Sequence, residues 1–362
     1  MPEQALAQGV IYSARPTLLV DGQAQPSLDQ LLQGMELRED EMGLAALELR
    51  YVNTAMSAAG GADFAFESSS SLLYLGRRIE LKLGDETHQT SLFTGMISGI
   101  ELNMQPDRQP EMVVLAEDAL QRARMVRRTA VYRDVSVGDV VQQVGSRLGW
   151  QTRVDGLSAH FSVLVQLNES DLAFLRRVVA SQDGQLHFDG NALVAVARHG
   201  RRETQVTLAF GSQLLRVSAL ADLTHQVSEV TASGWDIVNG QSVSVSHTRA
   251  SDLGPGAGQE GSEILRNTVS ARAEHLGSVA VADEAEASAL ANAHFSRRAR
   301  RFVRVKGTAQ GNPNIRVGTH ATLSGMGTRF DNTYYVCSTR HRFDLREGYR
   351  TDFEAECAYL GR

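Results

Sequence analysis

Apolar side chains recur at every second position toward both ends of this chain, and at helical spacing only in a few stretches between them. Side chains alternate faces along a strand and return to one face of a helix about every 3.6 residues, so this contrast decides what can fold where. Leu47, Leu49 and Tyr51 alternate within 45–52, and Ile79, Leu81 and Leu83 alternate before Gly84-Asp85. Residues 92–104 keep the alternation with Gly95 and Gly99 interrupting it, Leu18 to Val20 precede the turn pair Asp21-Gly22, and 112–115 form a further apolar run. Strands this short and closely spaced predict an antiparallel barrel or sandwich.

Near residue 136 the period changes. Ser136 is placed to cap a helix carrying Val137, Val140, Val141, Val144 and Leu148 on one face, and Gly149 to end it. Asn168 or Ser170 is placed to cap a second helix, with Asp171 at its positive end, Leu172, Leu175, Val178 and Val179 as its stripe, and Gly184 closing it. Short β runs at 162–166, 185–188 and 193–197 surround these helices, so 118–203 reads as a small α/β module. Strands return at 206–210, 214–217, 226–232 and 242–246. The glycine-rich stretch 254–262 reads as a flexible loop. Asp283 and Glu286 have capping-box spacing at the start of a third helix, over about 283–299, whose far end carries Arg297, Arg298, Arg300 and Arg301. Strands at 302–306, 320–323, 334–338 and 353–359 finish the chain. The fold class expected is a β-rich α+β protein, with β units over 1–117 and 204–362 flanking the module at 118–203.

The chemistry-bearing motifs are sparse. Lysine and arginine number 36 against 42 acidic residues, for a net charge of −6, which argues against a chain-wide nucleic-acid binder and leaves room for a local basic patch. The amino terminus shows no basic region followed by an apolar core, and no run approaches the roughly 18 apolar residues of a membrane span, so a soluble chain made in the cytosol is expected. Cys337 and Cys357 cannot form a disulfide framework, and read as reduced, buried and inert. Gly256, Gly258 and Gly261 match GxGxxG, but polar loop sequence precedes them and no βαβ unit surrounds them. The 10 histidines show no metal spacing, and no nucleophile elbow or phosphate-binding loop is present. No catalytic, cofactor or metal site is therefore expected. Glu169 and Asp171 read as carboxylates at a helix amino terminus, and the cluster around Arg297, Arg298 and Arg301 as a solvated helix end or a contact for an acidic partner.

Three stretches carry a family resemblance. The first is Thr94-Gly95-Met96-Ile97-Ser98-Gly99-Ile100-Glu101, with 112–118 and 127–132. The second runs from Val135 to Trp150 into Gln166-Leu167-Asn168-Glu169-Ser170-Asp171-Leu172-Ala173-Phe174-Leu175-Arg176-Arg177. The third joins Arg301, 311–318, Tyr334-Tyr335-Val336 and Gly348-Tyr349-Arg350-Thr351. Together they resemble the late control D family of phage tail proteins, which is related to contractile-phage baseplate hubs and to the VgrG proteins of type VI secretion.

The resemblance implies a fold of two tail-tube-like antiparallel β-barrels with the α/β module inserted; in some relatives the stretch at about 204–240 completes the first barrel. It implies a non-enzymatic homotrimer whose ring adapts a hexameric tail tube to a trimeric spike. Tail tube protein, baseplate wedge components and a separate spike protein would be its partners, since the sequence given stops at Arg362 without a needle-like extension. It would be cytoplasmic during assembly and then part of the baseplate of a phage tail or extracellular injection particle, with no membrane anchor, cofactor or nucleic-acid recognition. Glu169, Asp171, Phe174, Arg297, Arg298 and Arg301 are the structural or interface candidates. The competing reading is a cell-wall or polysaccharide hydrolase of a phage tail, which would need two carboxylates facing each other in a cleft.

Overall fold

In the computed structural model, residues 15–56, 62–66, 72–84, 89–198, 204–250, 252–277 and 281–361 are described. The long alternating runs form one large sheet. Its strands follow in the order Leu214–Ala221, Val303–Gln310, Gly348–Cys357, Asn332–Asp344, Leu32–Asp40, Ala46–Val52, Glu111–Glu117, Gln89–Asn103, Arg78–Gly84, Thr17–Val20 and Gln23–Ala24. Every pairing along this path is antiparallel. No pairing among the described residues joins its two ends, so no closed barrel is seen. The chain is mostly antiparallel β-sheet with few helices.

Two separate cores lie under the sheet. Leu18, Leu47, Leu49, Tyr51, Ile79, Leu81 and Val114 fill the first, and Val303, Val305, Tyr334, Val336, Phe353 and Ala355 belong to another. Each fully buried side chain of this size stabilises the fold by about 1.5–3 kcal/mol relative to exposure. The halves meet where Leu32–Asp40 pairs with Asn332–Asp344, in a register that sets Leu37 opposite His341 and Met35 opposite Phe343. Phe343 and Tyr349 belong to the first core although they sit on carboxy-terminal strands. The strands at 205–209 and 214–221 pair with His320–Ser324 and Val303–Gln310 of the carboxy-terminal half.

Both helices expected between residues 136 and 184 form. Ser136 Oγ accepts from Asp139 N at 3.1 Å and the Asp139 carboxylate accepts from Ser136 N at 2.9 Å, a full capping box on the helix Val137–Leu148. Gly149 ends that helix in the left-handed conformation, at φ 74°. Ser170 caps Asp171–Ser181, but Gly184 does not close it: Asp183 takes the left-handed position, at φ 56°, and Gly184 already begins a strand. The stripes of both helices and the strands Gly184–Asp189 and Ala192–Ala197 share a third core. The third helix, Glu284–Arg300, packs on Glu229–Asp236 and Gln241–His247 over a small fourth core. Asp283 accepts from Glu286 N at 2.8 Å as predicted, while the reciprocal arm reaches one residue further back, the Glu286 carboxylate accepting from Ala282 N at 2.9 Å.

The glycine-rich loop departs from expectation. It is packed rather than free: Gln259 and Glu260 pair with Leu360 and Tyr359. A Cβ on Gly258, which sits at φ +140°, would lie 2.1 Å from the Leu360 carbonyl oxygen, and one on Gly256 would lie 2.6 Å from Cys357 Sγ. Gly258 lets two backbones touch, and Gly256 leaves room for the Cys357 sulfur. Cys357 is buried and Cys337 half-buried; both are free, and burial pushes the Cys357 thiol up to about 12.

Candidate functional site

The chain's densest buried chemistry lies where the two halves of the sheet, the module and the third helix converge. Arg198 ends the apolar strand Ala192–Ala197 and extends its guanidinium into the junction with only 7% of its side chain exposed. One Nη lies 2.6 Å from Glu356 of the strand Gly348–Cys357, the other 3.4 Å from Glu41 in the turn after Leu32–Asp40, and the plane stacks 3.9 Å from the Tyr335 ring centroid. Burial alone would lower the Arg198 pKa, but the Glu356 and Glu41 carboxylates more than reverse this and raise it. Burial, with Glu356 close by, raises the Glu41 carboxyl, against the pull of Arg198. Arg300, also buried, pairs with Asp183 of the module and donates to the Asp252 carbonyl at 3.2 Å, and Arg301 lies 3.7 Å from Glu356. One connected set of charges thus holds together the amino-terminal half, the module, the third helix and the carboxy-terminal strands.

The predicted candidates fall on two sides of this junction. Arg297 donates to the Ala180 carbonyl and lies 4.0 Å from Asp183, while Arg298 donates to Glu274 at 3.0 Å. The arginine cluster is therefore largely a brace between the helix and the rest of the chain, not a solvated helix end; Arg301 alone in it is more than half exposed, at 55%. Glu169 stands at the end of the strand His160–Ser170 and pairs with Arg177 on the protein surface. Asp171 is buried and accepts from Arg147 at 2.6 Å, Gln166 at 3.0 Å and Arg128 at 3.4 Å. Phe174 stacks on Tyr132 with centroids 5.2 Å apart, and Arg177 covers its ring at 5.3 Å. The segment from Gln166 to Arg177 is thus an internal lock of the module. Asp171→Ala, which strands two guanidinium groups and an amide, is expected to lower unfolding free energy by about 2–4 kcal/mol, and Glu169→Ala by about 0–1 kcal/mol. Equal losses in urea titrations would contradict this assignment.

A cleft of 210 Å³ opens beside the junction, with Glu39, Asp40, Asp118, Asp189 and Arg316 in its wall. It is the place to look for paired carboxylates. Burial pushes Asp118 up to about 6, a value suited to a general acid. Its two oxygens, however, accept from Ala45 N and Leu120 N, both at 2.9 Å, so it caps the short helix Ala119–Arg124 and ties it to the sheet. Arg316 grips Glu39 with two nitrogens, Asp40 accepts from Met42 N at 2.8 Å, and Asp189 pairs with Arg153. Each of these carboxylates has a structural partner. Among the described residues, no group of three or more histidine, cysteine or acidic side chains could hold a metal ion.

Behind this cleft the two halves of the sheet share a second buried polar set. Thr339 donates to Glu39 at 3.2 Å, and His341 Nδ1 lies 2.8 Å from the Tyr349 hydroxyl and 3.3 Å from that of Thr351. Burial outweighs the nearby Glu39 and lowers the His341 pKa from 6.5 to about 4. The folded state therefore favours the neutral ring, and its contribution is complete above about pH 6.5 and lost as pH falls toward 4. The stability advantage of the parent over His341→Asn should shrink by up to about 3 kcal/mol between pH 7 and pH 4. A difference constant across that range, in urea titrations at stepped pH, would refute this.

The sequence reading missed the junction residues Glu41, Arg198 and Glu356. The available signal was a charged residue set directly after a fully apolar strand, Ala192–Ala197, where a buried charge must find partners. Among the described residues, no helix is long and apolar enough to cross a membrane.

The fold has close counterparts among solved structures. A 43 kDa tail protein of prophage MuSo2 from Shewanella oneidensis matches with a TM-score of 0.69 and 13% identity, over 95% of this chain and 98% of that one. A tail protein from Neisseria meningitidis MC58 matches with a TM-score of 0.65 and 10% identity, over 95% and 97%. An E. coli component of the type VI secretion system, itself described as structurally similar to T4 tail proteins gp27 and gp5, matches with a TM-score of 0.55 and 12% identity, over 95% and 78%. This chain therefore shares the fold of phage tail proteins and of a type VI secretion component. No curated protein matches its sequence. The family described as the Alg8 N-terminal domain matches residues 55–344 of the 362, and the chain belongs to that family.

Proposed function

We propose that this chain is a non-enzymatic hub subunit of a contractile phage tail or phage-like injection particle, of the late control D kind. Three copies form a ring that adapts a sixfold tail tube to a threefold spike. The observation that carries the reading is the long sheet with a separate core under each half, joined through the pairing of Leu32–Asp40 with Asn332–Asp344. A protomer built this way offers two sheet segments to a ring, and three protomers offer six, as mating with a hexameric tube requires. In this reading the halves, 1–117 and 204–362, act as two tube-like barrel units, with 118–203 as an outlying module. The outer face of the sheet fits a channel wall: it carries cross-strand ion pairs such as Arg340 with Glu36, Arg342 with Asp352 at 2.9 Å and Lys306 with Glu354 at 2.7 Å. Tube, spike and wedge proteins would meet the ring at its rims, and the finished protein would reside in the baseplate.

Electron cryo-microscopy of purified particles tests this. A ring on the particle axis, with three copies of this chain between tube and spike, is expected. Density for the chain away from that axis, or steady digestion of a cell-wall glycan by the purified protein, would overturn it.

A further inference from the structure

We infer that the two-stranded ribbon of the module, formed by Arg127–Ser136 and His160–Ser170, is a docking face for an extended acidic segment of another protein that carries aliphatic side chains. The ribbon pairs Val131 with Val165, Tyr132 with Leu164 and Arg133 with Val163. Its inward face holds Tyr132 and Gln166 against the module core. Its outward face should be polar, as a solvated strand face normally is. Instead Val131, Val163, Val165 and Leu167 are exposed, with Met125 and Val126 just before the ribbon, and Leu167 reaches 72% exposure. Four large apolar side chains on one small two-stranded element, with two more just before it, make a patch that water does not favour.

Charge favours an acidic occupant. The stretch from 119 to 133 contains Arg122, Arg124, Arg127, Arg128 and Arg133 and no acidic residue, in a chain whose net charge is −6. The ribbon's own carboxylates are answered locally, Asp134 lying 3.6 Å from His160 and Glu169 pairing with Arg177. Arg124 is paired with Glu117 and Arg128 with Asp171. Arg122, Arg127 and Arg133 are exposed and form no ion pair among the described residues, although Arg122 donates to the Leu148 carbonyl at 3.3 Å beside Trp150 and Arg127 to the Asn168 carbonyl at 3.2 Å, so their charge is left without a carboxylate. Arginines around an aliphatic stripe complement a segment that alternates carboxylates with aliphatic side chains. Each ribbon strand also has one edge without a strand partner among the described residues, so an extended segment can add backbone hydrogen bonds. A nucleic acid fits less well, because the ribbon exposes no phenylalanine, tyrosine or tryptophan ring on which bases could stack: Tyr132 and Phe161 are turned inward, and only the small His160 ring is exposed. A membrane fits less well, because no tryptophan or tyrosine flanks the stripe on its outward face.

The test uses the full chain and a fluorescent peptide of alternating glutamate and valine, read by anisotropy. Peptides alternating glutamate with serine and lysine with valine serve as controls, and phosphatidylserine vesicles and duplex DNA as competitors. The glutamate–valine peptide is expected to bind about tenfold tighter than either control, and added salt to weaken it. Arg127→Glu with Arg133→Glu, and separately Val163→Ser with Val165→Ser, should each weaken binding about tenfold while leaving the urea midpoint unchanged, since all four positions are exposed. No binding, equal binding of a control peptide, variants that bind like the parent, or stronger competition by vesicles or DNA would each overturn the inference. None of these outcomes bears on the axial ring, which is judged by particle symmetry.

Discussion

Arg198→Ala is expected to destabilise the protein by about 3–5 kcal/mol, because it removes the cation between the buried Glu356 and the half-buried Glu41 carboxylates and leaves both without their main partner. Glu356, with 5% of its side chain exposed, would lose the 2.6 Å contact, and Glu41 would be left with the Gln185 amide at 2.9 Å. The guanidinium also covers Tyr335, so packing is lost along with charge. The measurement is the urea midpoint of the parent, Arg198→Ala, and Arg198→Met combined with Glu356→Leu. The double variant replaces a buried pair with apolar groups of similar size, and should recover most of the loss. A loss below about 1 kcal/mol for Arg198→Ala would mean that the junction is solvated and does not hold the halves together.

Gly258→Ala is expected to be the most damaging single-methyl change in the carboxy-terminal region, costing about 2–4 kcal/mol. Two independent effects add. The backbone sits at φ +140°, a conformation that side-chain-bearing residues rarely adopt, and the new carbon would lie 2.1 Å from the Leu360 carbonyl oxygen. Backbone cannot rotate away as a side-chain tip could. The short pairing of Gln259 and Glu260 with Leu360 and Tyr359 should open, which amide exchange at Leu360 and Tyr359 would report. By contrast Gly240→Ala, at φ +64° with nothing within 4 Å, isolates the conformational cost alone and should lose about 1 kcal/mol. Equal losses at the two positions would show that the contact with Leu360 is not tight.

How much of this could be read from the chain depends on how regularly each strand keeps its period. Ala46–Val52 and Arg78–Gly84 alternate without interruption and are legible. Leu32–Asp40, the strand that joins the two halves, is not: its register against Ala46–Val52 shifts between Leu32 and Gly34, so Leu32 falls out of phase with Met35 and Leu37. Arg127–Ser136 is obscured because it exposes Val131 and buries Tyr132 beside it, among arginines. Helix caps at Ser136, Ser170 and Asp283 are local and were legible for that reason. The junction is not local. Glu39 and Arg316 stand 277 positions apart, and Asp183 and Arg300 stand 117 apart, so no spacing rule relates them. The arginine cluster was visible as charge, but its engagement with Asp183 and Glu274 depends on how the third helix is placed against the module and its own sheet.

The pairing of the strand near residue 36 with the strand near residue 342 also sets the order of events during synthesis. A nascent chain that has completed its first hundred residues still lacks Phe343 and Tyr349, two of the side chains that fill its amino-terminal core. Until those emerge, the edge of Leu32–Asp40 has no neighbour on that side and offers a template for pairing with other chains. Closure of the amino-terminal core is therefore expected to wait for chain completion. A premature stop before residue 332 would yield a sticky fragment, not a smaller working unit.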